Sequence, residues 1–491
     1  MSHESINAKS IRAGLPHPVI DSDGHWIEYG PHLAQELRRI GGEKAVEGFF
    51  HFGKQIGRTV AMGLESRLES RRGQESWWAL PTRDSRDRAT VMMPNLLRER
   101  LDEFGIDFAV IYPTSGLGLP QMPDDERRRA ACSAFNTYMA EFFGAHTDRL
   151  TPAAVIPMHC PEEAIAELEH AHGLGLKSVM MGSLIKRRIP ALEAQSVHLA
   201  DQFPWLDILG LDSPHDYDPV WQCCFELGYS PTFHSNGRGR GFGLRNSASN
   251  FVYNHIGHFA AASEAVCKAL LLGGVTHRFP QLNFGFLEGG AGWACQLFSD
   301  LLGHWDKRNV DALADVDPRN LDEKELLDFA RDYARDDYIE VMENRIGRAQ
   351  TAQRNPEPAE GIDEFAACGI ATEEDLVRQF VDGFYFGCEA DDPMNAWAFK
   401  RDHLPHGVQL KTLFGSDIGH FDVRDMAGVL PEAYELVEDA LINSDDFRDF
   451  VFANPVRFLS KNNRSFFKGT SVETEVSDFW QQAGQSKSAT A

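Results

Sequence analysis

Aspartate and histidine recur in this chain where apolar runs end, and those two residue types together are what binds a divalent cation. Val19-Ile20 breaks into Asp21-Ser22-Asp23-Gly24-His25, Pro231-Thr232-Phe233 ends on His234, and Leu413-Phe414-Gly415-Ser416 ends on Asp417. Residues i and i+2 of a strand share a face, so Asp23 and His25 point the same way if the strand runs on to His25. Each of these residues alone is an ordinary loop residue. Three such endings, far apart in the chain, ask for parallel strands whose C-terminal ends meet over one pocket. A (β/α)8 barrel builds its active site in that way.

The elements that must position these residues can be read along the chain. Val19–Asp23 reads as the first strand, Phe108–Tyr112 as the second, Leu150–Ile156 as the third and Ser178–Met181 as the fourth. Ser230–His234, Leu282–Glu288 and Phe384–Glu389 follow, and an eighth strand ends at Asp417. Helical periodicity lies between them over 123–146, 217–228 and 251–271, the first opened by Asp124-Asp125-Glu126 as suits a helix N-terminus. This alternation predicts an α/β chain, a (β/α)8 TIM barrel with two helical insertions. Residues 1–17 read as a loose N-terminal arm, 18–470 as a single metal-dependent barrel domain, and 471–491 as a flexible C-terminal tail. The insertions fall at about 30–100 and 304–380; the first carries Trp77-Trp78 and is expected over the barrel mouth. Residues 184–216 read as a long loop, and loops of that length in a compact domain are usually functional.

Further donors follow from the same map. Glu288 ends the sixth strand, where a carboxylate can ligate or bridge cations; burial would have to raise its pKa before it could act as an acid at neutral pH. His255 and His258 stand three apart on the predicted helix 251–271, which puts them on one face. His420 lies three residues past Asp417, and Glu389 ends the seventh strand. The metal candidates are therefore Asp23, His25, His234, His258, Glu288, Asp417 and His420. Glu288, His258 and Asp417 are also the candidates for catalysis. Several carboxylates with several imidazoles suit Fe or Mn, as two ions, as well as Zn. Arg238 and Arg240 lie in the glycine-rich run after the fifth strand and could clamp a substrate carboxylate bidentately. Trp26 could help wall the pocket. No lysine stands at the rim of the fourth strand, Met180-Met181-Gly182, so a carboxylate would have to bridge any two ions.

The order Asp-x-His, Thr-Phe-His, Phe-Gly-Ser-Asp resembles the amidohydrolase-related barrels (amidohydrolase family 2, the aminocarboxymuconate-semialdehyde decarboxylase-like group). The resemblance covers residues 18–30, 105–300 and 384–430. It implies a metal-dependent barrel with Asp23, His25, His234 and Asp417 as ligands. Two departures stand out: Asp23 falls where most relatives carry His or Glu, and Glu288 falls where the decarboxylases place a catalytic His. Tyr253 to Phe259, with Phe286 to Trp293, also resembles a subgroup of dinuclear Mn/Fe or diiron monooxygenases on this scaffold. The first reading is thus O2-dependent hydroxylation of a small, carboxylate-bearing substrate at a dinuclear non-haem Fe or Mn/Fe site. The alternative is a mononuclear Zn- or Mn-dependent decarboxylase or hydrolase. A third is a non-catalytic barrel beside a catalytic homologue. The resemblance further implies a homodimer or a complex with a homologous subunit.

Composition narrows the classes. Of 491 residues 43% are hydrophobic, and mean hydropathy is −0.34. A formal net charge of −25 disfavours nucleic acid and anionic membrane as partners. No apolar run reaches the length of a bilayer span, and Met1-Ser2-His3-Glu4-Ser5 has no signal-peptide pattern. Eight scattered cysteines without a CxxC read as reduced thiols of a cytoplasmic protein.

Overall fold

A computed structural model describes residues 7–76, 85–234, 246–317, 320–351 and 363–489. The strands are β1 (Ile20–Trp26), β2 (Phe108–Pro113), β3 (Leu150–Ile156), β4 (Ser178–Gly182), β5 (Ile185–Arg187), β6 (Trp205–Asp207), β7 (Pro231–His234), β8 (Phe284–Phe286), β9 (Phe384–Glu389) and β10 (Lys411–Gly415). Eight of them form one sheet in the order β1-β2-β3-β4-β7-β8-β9-β10, and the neighbouring strands pair parallel. The two ends of the sheet meet. The Asp417 N–H donates to the Asp23 carbonyl at 2.9 Å, and the His25 N–H to the Ile418 carbonyl at 2.9 Å. The fold is the α/β (β/α)8 barrel that the alternation predicts.

Strands of a parallel barrel are covered on both faces, so they read as near-continuous apolar runs. Phe108–Pro113 and Leu150–Ile156 are buried along their whole length. On the outer face of the barrel, Phe233 stacks on Phe286 at 5.6 Å and Phe286 on Phe386 at 6.1 Å, with Trp293 edge-on to Phe286. Register explains this row: Phe233 pairs with Phe286, and Phe286 with Phe386, so all three point to one face. The alternate residues, His234 among them, point inward.

Four expectations are corrected. The stretch 184–216 is not a plain loop: β5 and β6 pair antiparallel within it, on strands too short to show a period in sequence. The predicted helix 251–271 is two helices, Phe251–His255 and His258–Leu272, broken at Gly257 with φ +72°. At the N-terminus, Asn7 caps a helix over Ala8–Gly14 that buries Ile11, so the arm is docked. At the other end Glu473–Ala489 is helical, with Val476 and Phe479 buried and the Arg464 guanidinium 3.3 Å over the Trp480 ring. Val472, Val476, Phe479 and Trp480 recur at one-turn spacing, which is the signature of a docked helix.

The first insertion is helical over Gly30–Phe49, His51–Ala61 and Leu64–Ser70, and the second over Glu323–Tyr333 and Asp336–Thr351. Trp77 and Trp78 lie outside the described residues. Among those described, no helix is long and apolar enough to cross a membrane. All eight cysteines are free, and all but Cys160 are buried.

Candidate metal centre

The site starts with β1. Asp21 is buried and accepts hydrogen bonds from the Ser416 N–H at 2.9 Å and the Ser416 hydroxyl at 2.6 Å. It thereby pins the strand to the loop after β10 and fixes Asp23 opposite Asp417. The fit leaves no room for a larger residue at Gly415, where a Cβ would stand 2.9 Å from that of Asp23.

His25 is fully buried. Its Nδ1 lies 3.3 Å from the Pro113 carbonyl, to which it can donate. That bond selects the tautomer with a free Nε2 lone pair, the form a metal-binding histidine takes. Nε2 faces three carboxylates: Asp23 Oδ1 at 3.4 Å, Glu288 Oε1 at 3.2 Å and Asp417 Oδ1 at 3.5 Å. From β7, His234 places Nε2 3.5 Å from Asp23 Oδ1 and Nδ1 3.4 Å from Glu288 Oε2. His420 stacks on His25 at 3.9 Å. Its Nδ1 is 2.7 Å from Asp417 Oδ1 and 3.4 Å from Glu288 Oε1.

Two of these carboxylates arrive by unusual backbone. Phe286 points to the outer face, so a regular strand would carry Glu288 outward as well. Glu288 instead takes φ +56° and Asp417 takes φ +49°. Left-handed backbone at such residues costs about 1–3 kcal/mol and persists where the surroundings demand it.

The donors converge on one pocket. Asp23 Oδ1, His25 Nε2, both nitrogens of His234, both oxygens of Glu288 and Asp417 Oδ1 are buried without a hydrogen-bond partner. Each unsatisfied buried group costs about 1–3 kcal/mol, and a cation would relieve one atom each of Asp23, His25, His234 and Glu288. One ligand atom each from Asp23, His25, His234 and Glu288 falls within 4.8 Å of the others. So do one each from His25, Glu288, Asp417 and His420, and from Glu389, Asp417 and Asp422. The first two sets share His25 and Glu288. The residues fit a divalent metal.

The charges of the site are interlocked. Burial opposes ionisation of Asp23, yet His234 and His25 outweigh it and lower its pKa. Burial opposes ionisation of Glu288 too, and His234, His25 and His420 bring it well below the ordinary range. Asp417 goes the other way, raised by burial and by the Glu288 charge. Burial and His420 work against protonation of His25, but Asp23 and Glu288 prevail and raise it to about 9. Glu389 is pushed up to about 8 by burial and then by Asp422 and Glu288. Burial and crowding among the carboxyl groups thus favour the protonated forms of Asp417 and Glu389.

Six of the seven metal candidates gather here: Asp23, His25, His234, Glu288, Asp417 and His420. His258 stands outside the three donor sets. Its Nε2 is buried without a hydrogen-bond partner, and burial, then His255 and Lys186, lowers its pKa. The shared helical face expected for His255 and His258 does not exist, because the helix breaks between them. Trp26 is not a pocket wall. It alternates away from His25 and packs on Tyr138, Phe142 and Phe143 at ring distances of 6.1, 5.3 and 5.6 Å. Arg238 and Arg240 lie outside the described residues. The sequence reading passed over Asp21 and Asp422. A β-bulge between Asp21 and Gly24 takes Asp21 out of step with Asp23, so neither it nor Asp422 had a signal of its own.

No protein-family model matches the chain, and no curated protein matches it. Solved structures do resemble it. An amidohydrolase from Mycobacterium avium subsp. paratuberculosis K-10 is 16% identical at a TM-score of 0.48, covering 91% of this chain and all of that one. A dihydroxybenzoic acid decarboxylase from Polaromonas sp. JS666, with bound manganese and 2-nitroresorcinol, is 13% identical at 0.48, covering 92% and 99%. A 5-carboxyvanillate decarboxylase from Novosphingobium aromaticivorans, also with manganese, is 11% identical at 0.46, covering 90% and 97%.

Proposed function

We propose that this chain is a divalent-metal-dependent enzyme of the amidohydrolase-related kind, which decarboxylates or hydrolyses a small, carboxylate-bearing molecule. The observation that carries this reading is the set Asp23, His25, His234 and Glu288, buried together with its inward atoms unpartnered. Two carboxylates and two imidazoles suit Mn, Fe or Zn. When bound, such an ion polarises a carboxylate or carbonyl oxygen and lowers the pKa of water.

The chain's own residues supply the rest. The Pro113 carbonyl holds His25 in one tautomer. Asp21 and Ser416 hold the strand end in place. Asp417 and His420, with Oδ1 and Nδ1 2.7 Å apart, form a close acid–imidazole pair that can supply a proton. Asp417 is favoured in its protonated form by burial and by Glu288. His420 keeps some exposure toward the mouth, at 18% of its side chain. In a decarboxylation the bond to the carboxylate carbon breaks, CO2 leaves with that carbon, and the electron pair left behind takes a proton from this pair. In a hydrolysis the same pair accepts a proton from the attacking water. His258, whose buried Nε2 has no partner, is the further group we assign to substrate binding.

A second reading rests on the overlap of the donor sets. Glu288 and His25 belong to both Asp23–His25–His234–Glu288 and His25–Glu288–Asp417–His420, and Glu288 could bridge two ions. Two Fe or Mn/Fe ions there would support O2-dependent hydroxylation.

One experiment separates the readings. The protein is loaded with Mn, Fe or Zn, its metal content is measured, and it is incubated with hydroxylated benzoates with and without O2. One ion per chain and CO2 release that ignores O2 support decarboxylation. Two ions and product formed only with O2 overturn it in favour of hydroxylation.

A further inference from the structure

We propose that the cleft between the helices His51–Ala61 and Asp125–Phe143 is a binding site for a compact polyanion, carrying two or more phosphoryl or carboxylate groups. It is lined by Glu47, His51, Lys54, Gln55, Arg58 and Arg127 and has a volume of about 260 Å³. None of these residues belongs to the metal centre, so the inference stands independently of the function proposed above.

Spacing comes first. His51, Lys54, Gln55 and Arg58 fall at i, i+3, i+4 and i+7, which is one face of a helix. From His51 to Arg58 the face runs about 10 Å along the axis. Arg127 faces it from the first turns of Asp125–Phe143. The row is long enough for a diphosphate or a tricarboxylate.

Charge comes second. The chain carries a net −25, yet this cleft gathers three permanent cations and a histidine against one carboxylate. That carboxylate, Glu47, is occupied by Arg127 at 2.9 Å. The side chains of Lys54 and Arg58 have no ion-pair partner among the described residues, although acidic groups abound elsewhere on the surface. His51 registers the resulting field: burial lowers its pKa, and Arg127, Arg58 and Lys54 lower it further, against a smaller opposing effect of Asp124. Gln55 lies 2.8 Å from His51 Nε2 and can donate to it, which fits a neutral imidazole. Crowded like charges destabilise a fold unless a counter-charge joins them. An anion that meets Lys54, Arg58 and Arg127 together would remove that repulsion, with Arg binding phosphoryl or carboxylate oxygens in a fork.

The test is isothermal titration of the full, metal-loaded chain with sodium diphosphate, and in a second arm with citrate, at constant ionic strength. Three proteins are compared: wild type, Lys54→Gln/Arg58→Gln and His25→Ala. Lys54 and Arg58 are exposed, and the thermal midpoint of the double variant checks that it remains folded. Saturable binding by wild type and His25→Ala, at least tenfold weaker in the double variant, is expected. Diphosphate bound without citrate would narrow the ligand to phosphoryl compounds, and both bound would keep the broader class. Absence of saturable binding to wild type overturns the proposal. So does an affinity unchanged in the double variant. Binding lost in His25→Ala but kept in the double variant would put the anion on the metal and overturn it equally.

Discussion

Glu288 and Asp417 are held with positive φ, and both aim a carboxylate at His25. A chain gains nothing in stability from such backbone, so the strain belongs with the centre the two residues face, Glu288 as a ligand and Asp417 as a proton carrier. Asp417→Asn separates these effects, because Asn tolerates left-handed backbone well but cannot exchange the proton of an acid. We expect the variant to fold with an unchanged circular dichroism spectrum, to keep its metal in competition with a chelating dye, and to release CO2 from hydroxylated benzoates at least tenfold more slowly. His25→Ala should instead leave less than a tenth of the wild-type metal by elemental analysis. A His25→Ala protein that keeps its full metal complement would show that the ion lies elsewhere.

One element-scale device sits between β3 and the helices Asp125–Phe143 and Pro161–Gly173. Asn136 donates to the Val155 carbonyl at 2.9 Å, accepts from the Val155 N–H at 2.8 Å, and donates to Glu167 at 2.7 Å. Burial pushes Glu167 up to about 8, against the Asn136 bond. The folded state therefore keeps a proton on Glu167 between its ordinary pKa and about 8, where the unfolded chain has lost it. Stability from this group is full below that window and declines as pH rises through it. Glu167→Gln keeps the acceptor and removes the titration. Urea unfolding at pH 5 and pH 8.5 should show the variant gaining about 1–3 kcal/mol on wild type at the higher pH. An equal difference at both values would rule the mechanism out.

Across the whole molecule, the two ends of the chain pack on the barrel, and the cation would tie β1, β7 and the segment after β8 together. Deleting residues 473–491 removes the buried Val476 and Phe479. Burying such side chains is worth about 1.5–3 kcal/mol each, so the truncated chain should melt several degrees lower in a calorimeter. Chelation should also lower the melting temperature, since a ligand present at a hundred times its Kd contributes about 2.7 kcal/mol. His25→Ala should show no such response to chelator. A wild-type melting curve indifferent to chelation would argue against an ion joining the barrel.

The residues of this chain determined the barrel and most of its candidate centre. Apolar runs buried on both faces announce parallel strands, and β9 was legible to the residue because nothing interrupts Phe384–Glu389. Asp23, His25 and His234 could be read because alternation alone turns them inward. Several things had to wait for tertiary structure. Glu288 reaches the pocket only through a left-handed turn, a torsion that a glutamate does not advertise. His258 was separated from His255 by one torsion at Gly257. Trp26 stands next to a pocket residue in sequence, yet strand alternation sends it to the helical layer. Period and residue type are local and leave their mark in sequence. Proximity between groups hundreds of positions apart, such as Asp21 with Ser416 or Asp422 with Glu389, is fixed only when the sheet closes and its two ends share hydrogen bonds.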